Sequence, residues 1–211
     1  MEKYSKNVCE LKYEFVKTYK GNSHTTEILP NMPTDSFLIN EKQLSLLHKF
    51  LDVNPIYSTH ISQKISDIEY TISEGDLNNY WIDSIKHDAS YAPFYPTWML
   101  SAWGLALAAK NFGFEKIIDI GSGDGRIAYC GKVLGLDTSS IEIDENLVNL
   151  QENLSEKTDV RFNPICSDAT VFNFEDVVTD SILSSIFILS SVLTLISLGQ
   201  PSVALIIKEP E

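Results

Sequence analysis

The chain has 211 residues, 44% of them hydrophobic, with 16 basic against 29 acidic side chains and a net charge of −13. This length allows one domain with a sizeable extension and a core that needs no disulfide or metal, and the hydrophobic content excludes a wholly disordered chain. The acidic balance argues against sequence-blind electrostatic binding to nucleic acid or to an anionic membrane surface.

Three scattered cysteines, Cys9, Cys130 and Cys166, form no CxxC pair, and no apolar run of signal-peptide length opens the chain. Both features fit a reduced, cytoplasmic location, with neither a disulfide framework nor a metal site.

Residues 1–90 are polar and punctuated, with turn signals at Gly21-Asn22 and Pro30-Asn31-Met32-Pro33. Leu44, Leu46, Leu47 and Leu51 predict a helix over 41–51, with Asn40 available as its N-cap. Ile61, Ile65, Ile68 and Ile72 recur at three and four residues, which predicts an amphipathic helix. A further helix is expected over 76–87, carrying Trp81, Ile82 and Ile85. The expectation is an N-terminal helical extension or cap over residues 1–90.

From residue 91 the pattern alternates. Thr97 is a possible cap for an apolar helix that Gly113 closes. KIIDI (116–120) reads as a strand, followed by glycines, the helix-like GRIAYCGKVLG, and a second strand, SSIEI (139–143). Asp144 then caps the helix ENLVNLQENL, and a third strand begins near Val160. Strand and helix in this alternation predict an α/β fold, a doubly wound and mostly parallel sheet over residues 91–211.

The stretch from Asp119 through Gly121, Ser122, Gly123, Asp124 and Gly125 carries most of the chemistry. A strand that ends in glycines and opens a helix brings backbone N–H groups close to a ligand. The third glycine comes too early for the dinucleotide fingerprint. Asp119 and Asp124 beside the loop repel a pyrophosphate but suit a ligand with an ammonium group, such as a nucleoside with an amino-acid tail. Glu142, at the end of the second strand, can accept from both ribose hydroxyls. Asp168, followed by Ala169, stands after the third strand, where a carboxylate can accept from an exocyclic adenine amine. Each acid alone is explained as a cap or a solvated loop residue. Their order at three successive strand ends is more specific, because ligands bind across the carboxyl ends of such sheets.

DIGSGDGR, SIEID and SDAT together resemble the S-adenosylmethionine-binding half of a class I methyltransferase, over residues 91–175. The resemblance implies that Asp119, Gly121, Ser122, Gly123 and Gly125 hold the methionine end, Glu142 the ribose, and Asp168 with Ala169 the adenine. Upstream, Tyr91 to Thr97 (YAPFYPT) resembles the P-[FY]-x-P element of protein lysine methyltransferases of the archaeal and ATP-synthase c-subunit type. In that group the element folds over the cofactor near the donor methyl, which makes Tyr95 and Thr97 candidate catalytic residues, Tyr95 as an aromatic wall. The acceptor implied is a protein lysine. A small-molecule or RNA acceptor, or a non-catalytic S-adenosylmethionine-binding protein, stays open. The absence of [DN]PP[YFW] and of a Pro-Cys element, with the acidic charge, disfavours nucleic acid.

Residues 181–198 are uncharged and contain six serines. Their length meets the minimum for a membrane span, but the serines, Gly199 and Pro201 favour buried strands with a further strand over 203–208. The chain after Asp119 is short for the family's seven-stranded sheet, so a C-terminally shortened sheet is expected.

Overall fold

The computed structural model describes residues 1–78, 94–174, 186–189 and 203–207, the last two segments as strands. Tyr4, Val8, Leu11 and Phe15, spaced to share one face of a 3.6-residue turn, are the buried side of the first helix, α1 (Glu2–Thr18). Strand β1 (Thr25–Pro30) follows. Helix α2 (Glu41–Val53) starts with a capping box: Asn40 Oδ1 accepts from the Gln43 N–H and Gln43 Oε1 from the Asn40 N–H.

The helix expected across Ile61 to Ile72 is instead a β-hairpin, β2 (Tyr57–Ile65) and β3 (Ile68–Gly75). The two four-residue isoleucine spacings are even, so they fit a strand face as well as a helix stripe. The odd step from Ile65 to Ile68 is taken up by Ser66 and Asp67, both at positive φ (45° and 70°), in a two-residue turn. The β-branched and aromatic content of IEYTISEG then favours the strand. The first sheet is antiparallel, in the order β1-β3-β2, with Ile28, Ile72 and Ile61 in register across it.

The expected apolar helix is α3 (Met99–Asn111), and Gly113 at φ 78° closes it. Thr97 does not cap it. The N-cap is Trp98, without a side-chain bond, and Glu27 of β1 accepts the first exposed N–H, that of Met99, at 2.8 Å. Then come β4 (Lys116–Ile120), α4 (Arg126–Val133), β5 (Asp137–Glu142), α5 (Glu145–Thr158) and β6 (Asn163–Cys166). Asp144 caps α5 by accepting from the Asn146 N–H. Strands β4, β5 and β6 are parallel, as the alternation requires.

On the other side of β4 lies β8 (Val203–Ile207), antiparallel both to β4 and to β7 (Ile186–Leu189) at the sheet edge. The sheet order is therefore β6-β5-β4-β8-β7, a Rossmann-like α/β arrangement in which only β8 runs against the rest. Apart from β7, the apolar run 181–198 lies outside the described residues, as does the helix expected over 76–87 beyond residue 78. Among the described residues no helix is long and apolar enough to cross a membrane.

One hydrophobic cluster runs from Tyr4 to Phe162 and joins the N-terminal elements to the helix-bearing face of the second sheet. The Tyr129 hydroxyl donates to the Leu46 carbonyl, and its ring packs on Phe50 at 4.7 Å. Ile118 and Ile141 point to the opposite face, with Ile120, Ile165, Ala169, Phe172 and Phe174 against them. This alternation along β4 turns Ile117 and Asp119 toward the helices.

The hairpin has a measurable consequence. Ile72 is fully buried in the central strand while Ile61 on the edge strand is 41% exposed. Ile72→Ala is expected to lower unfolding free energy in urea by about 2 to 5 kcal/mol, and Ile61→Ala by under about 1 kcal/mol. Equal losses would restore the helical stripe.

Candidate cofactor-binding site

The glycine loop leaves β4 after Ile120 and returns as α4. Gly121, Gly123 and Gly125 have φ of 67°, 57° and 77°, a region that side chains disfavour. A Cβ on Gly121 would meet open space, so that position is set by backbone shape, whereas one on Gly123 would lie 2.3 Å from the Phe94 ring. The loop's own N–H groups turn inward: Gly121 and Ser122 donate to the Ile141 carbonyl, Gly125 to that of Ser122, and Gly123 to Glu142 Oε2 at 2.8 Å. That geometry does not present a row of amides to a pyrophosphate.

Gln151 of α5 holds the loop from behind. It is fully buried, donates through Nε2 to Ser122 Oγ and to the Gly123 carbonyl, and accepts at Oε1 from Ser140. Both of its N–H donors are spent on the loop, and its oxygen is tied to the strand beneath.

A second support comes from the N-terminal sheet. Arg126, 2% exposed, grips Asp124 with Nε at 2.8 Å and Nη2 at 2.6 Å. Its Nη1 donates to Glu27 and to the Thr97 carbonyl, and Nη2 also donates to the Tyr57 hydroxyl. Asn54 adds a bond to Asp124 Oδ2. Asp124 is therefore not a ligand-facing acid, as its place in the loop suggested; a guanidinium two residues on satisfies it internally. Burial pushes the Glu27 carboxyl up, against the pull of Arg126.

Asp119 differs from every other acid in the site. It is fully buried and its oxygens meet no side-chain donor; the Ala128 N–H of α4 is the one group that draws its pKa down. Burial first, then the nearby Glu142 and Asp124 charges, pushes its pKa up to about 8. A buried carboxyl without a side-chain partner, within an acidic surround, is a place where a cation bound by the loop would be favoured.

Glu142 ends β5 beside the loop. Oε2 takes the Gly123 N–H, and Oε1 takes those of Ile143 and Asp144. A carboxylate has about four acceptor positions, so capacity remains for hydroxyl donors. Burial raises its pKa against these three bonds. Asp168 follows β6, joined to this strand end by the Ser167 N–H on the Glu142 carbonyl. Its Oδ1 accepts from both the amide and the hydroxyl of Thr170, which lowers its pKa. Ala169 packs toward Ile118 and Ile141.

The structure thus gathers Asp119, Gly121, Ser122, Gly123, Gly125 and Glu142 around one loop, with Asp168 and Ala169 at the adjacent strand end. Tyr95 is 49% exposed, and it is its neighbour Phe94 that lies on the loop. Thr97 contributes its backbone carbonyl to Arg126. Sequence reasoning missed Phe94, Gln151, Arg126, Glu27, Tyr57 and Asn54; of these only Phe94 and Arg126 stood inside motifs already quoted.

No protein-family model matches the chain, and no curated protein does. Among solved structures, the crystal structure of TehB from Haemophilus influenzae is similar over 48% of this chain, at 24% identity and a TM-score of 0.29. The similarity spans 32% of that chain, about a third of its length, and assigns no family.

The buried Asp119 carboxyl makes stability depend on pH. Its pKa is raised in the fold, so the folded chain holds a proton there that the unfolded chain has released above about pH 4. That contribution is complete at low pH and is lost as pH rises toward about 8. Asp119→Asn is therefore expected to gain on the wild type through that window, on the order of 1.4 kcal/mol per pH unit at most, and to level off above it. Urea unfolding across pH 5 to 9 measures the gap; a constant gap would mean Asp119 is ionised throughout.

Proposed function

We propose that the chain is an S-adenosylmethionine-dependent methyltransferase whose acceptor is the side-chain amine of a protein lysine. The observation that carries this reading is the buried Asp119 carboxyl, without a side-chain partner or a counter-charge, beneath a glycine loop whose amides turn inward. A loop of that kind suits a ligand bearing an ammonium group better than one bearing a phosphate. The residues present fit the ligand. Asp119 and the loop would take its amino-acid end, Glu142 its ribose hydroxyls through unused acceptor capacity, and Asp168 with Ala169 its adenine. When bound, S-adenosylmethionine supplies an electrophilic methyl group.

The chain's own residues would then bind, orient and exclude water, and good alignment can be worth on the order of 7 to 11 kcal/mol. Phe94, packed over Gly123, belongs to the YAPFYPT segment whose likeness suggested a lysine acceptor, and its place over the loop supports that reading. Tyr95, half exposed beside it, is available to an approaching side chain. A lysine amine must lose its proton before it can attack, which a desolvated aromatic surface favours. On this reading the partners are the cofactor and a protein, with no metal.

Calorimetry with S-adenosylmethionine tests the site. Asp119→Asn and Glu142→Gln are each expected to weaken binding by about 10- to 100-fold, the worth of a charge-assisted hydrogen bond. Because Asp119→Asn is also expected to stabilise the fold above pH 5, lost binding there cannot be lost folding. Labelled methyl transfer into cell extract, separated into protein, RNA and small-molecule fractions, tests the acceptor. Label in lysines of the protein fraction is expected; label in RNA or small molecules alone contradicts the lysine reading, and none despite binding contradicts catalysis.

A further inference from the structure

Residues 94–98 precede α3 without a helix or strand of their own, so their place over the loop depends on contacts with neighbours. Two such contacts stand out. The Phe94 ring occupies the space over Gly123 that a Cβ would fill. The Thr97 carbonyl accepts from Arg126 Nη1 at 2.5 Å. The same guanidinium holds Asp124, the residue after Gly123, with its two other donor edges.

We propose that Arg126 is a positioning residue that sets segment 94–97 at a fixed height over the glycine loop, so that the two become ordered together. Its meaning for methyl transfer rests on the function proposed above, in which the segment covers the reacting end of the ligand. The chemistry of the side chain requires an arginine here. A guanidinium is planar and presents five donors in a rigid fork, so one group spans Asp124, Thr97, Glu27 and Tyr57 at set angles. An ammonium is a point donor and cannot grip Asp124 twice while reaching Thr97. Arg126 is buried, so water has little room to replace a lost contact. Glu27 completes the arrangement: it takes Nη1 with one oxygen and the first N–H of α3 with the other, fixing where the segment must end. The loop, the segment and the start of α3 therefore meet at one side chain.

Hydrogen exchange of the intact chain without ligand tests the coupling, comparing wild type with Arg126→Lys, Phe94→Leu and Tyr57→Phe. Arg126→Lys is expected to speed exchange together at the hydrogen-bonded amides of Gly123, of Met99 and of Ala102, which donates to the Trp98 carbonyl, by about tenfold or more. Core amides such as Ile117 and Ile141 should speed by a smaller factor than these, which a purely general loss of stability would not allow. Tyr57→Phe removes one partner of the guanidinium but leaves the Thr97 contact, and the Met99 and Ala102 amides should keep wild-type rates. Faster exchange at Gly123 with Met99 and Ala102 unchanged would overturn the proposal. Should Arg126→Lys fail to fold, Phe94→Leu decides: faster exchange at Gly123 supports the coupling, and an unchanged rate overturns it. Calorimetry on the wild type separates the two ideas, since absence of binding to S-adenosylmethionine refutes the methyl-transfer reading while the exchange result, obtained without ligand, stands by itself.

Discussion

Arg126 is the first residue of α4, and its guanidinium lies in the interior between a sheet it does not belong to and a loop that it does. It joins Asp124 of the loop, Glu27 of β1, Tyr57 of β2 and the Thr97 carbonyl before α3. Burying three charged groups is costly, and such a network stabilises only when its donors and acceptors are matched; loss of one partner typically costs about 3 to 5 kcal/mol. Here the match is nearly complete, since the Met99 N–H takes the Glu27 oxygen that the guanidinium leaves open and Asn54 adds a further donor to Asp124 Oδ2. The small antiparallel sheet is thereby tied to the site, and the continuous core from Tyr4 to Phe162 is the packing that follows from that tie.

The same network explains why Asp119 remains alone. One cation is shared between Asp124 and Glu27, while Gly123, Ile143 and Asp144 donate to Glu142 through their backbone amides. Among the described residues no positive group is left for Asp119, and burial, then the Glu142 and Asp124 charges, raises its pKa. An interior that leaves one carboxyl without a counter-charge is less stable than it could be, and such sites are kept where a ligand completes them. The inward-turned glycine loop and the acid beneath it are in this sense one feature: both reject a phosphate and both favour a cation.

The parts of this arrangement that were legible in sequence are those whose causes are local. Glycines at a strand end, acids at three successive strand ends, the Asn40 and Asp144 caps and Gly113 all act within a few residues of themselves. What was not legible depends on residues far apart in the chain. Glu27 and Arg126 are separated by 99 positions, so nothing near either predicts the pair, and Asp124 was read as facing a ligand for want of its partner's direction. Gln151 looked like an ordinary polar residue of α5, because the loop it supports lies 28 residues earlier. The isoleucines of the hairpin failed for another reason: their spacing satisfies both periods, and only the two positive-φ residues between strands decide it. The α1 stripe was present but diluted by lysines and glutamates on the other faces.

On the proposed reading Asp119 is protonated in the ligand-free chain and is completed by the cation of a ligand. Carboxyl-labelled aspartate NMR, with Asp119→Asn to assign the signal, reads this directly. A titration midpoint of about 8 is expected in the ligand-free chain, falling toward the ordinary carboxylate range when S-adenosylmethionine is bound. A midpoint near about 4 without ligand, or one that the ligand leaves in place, would contradict it.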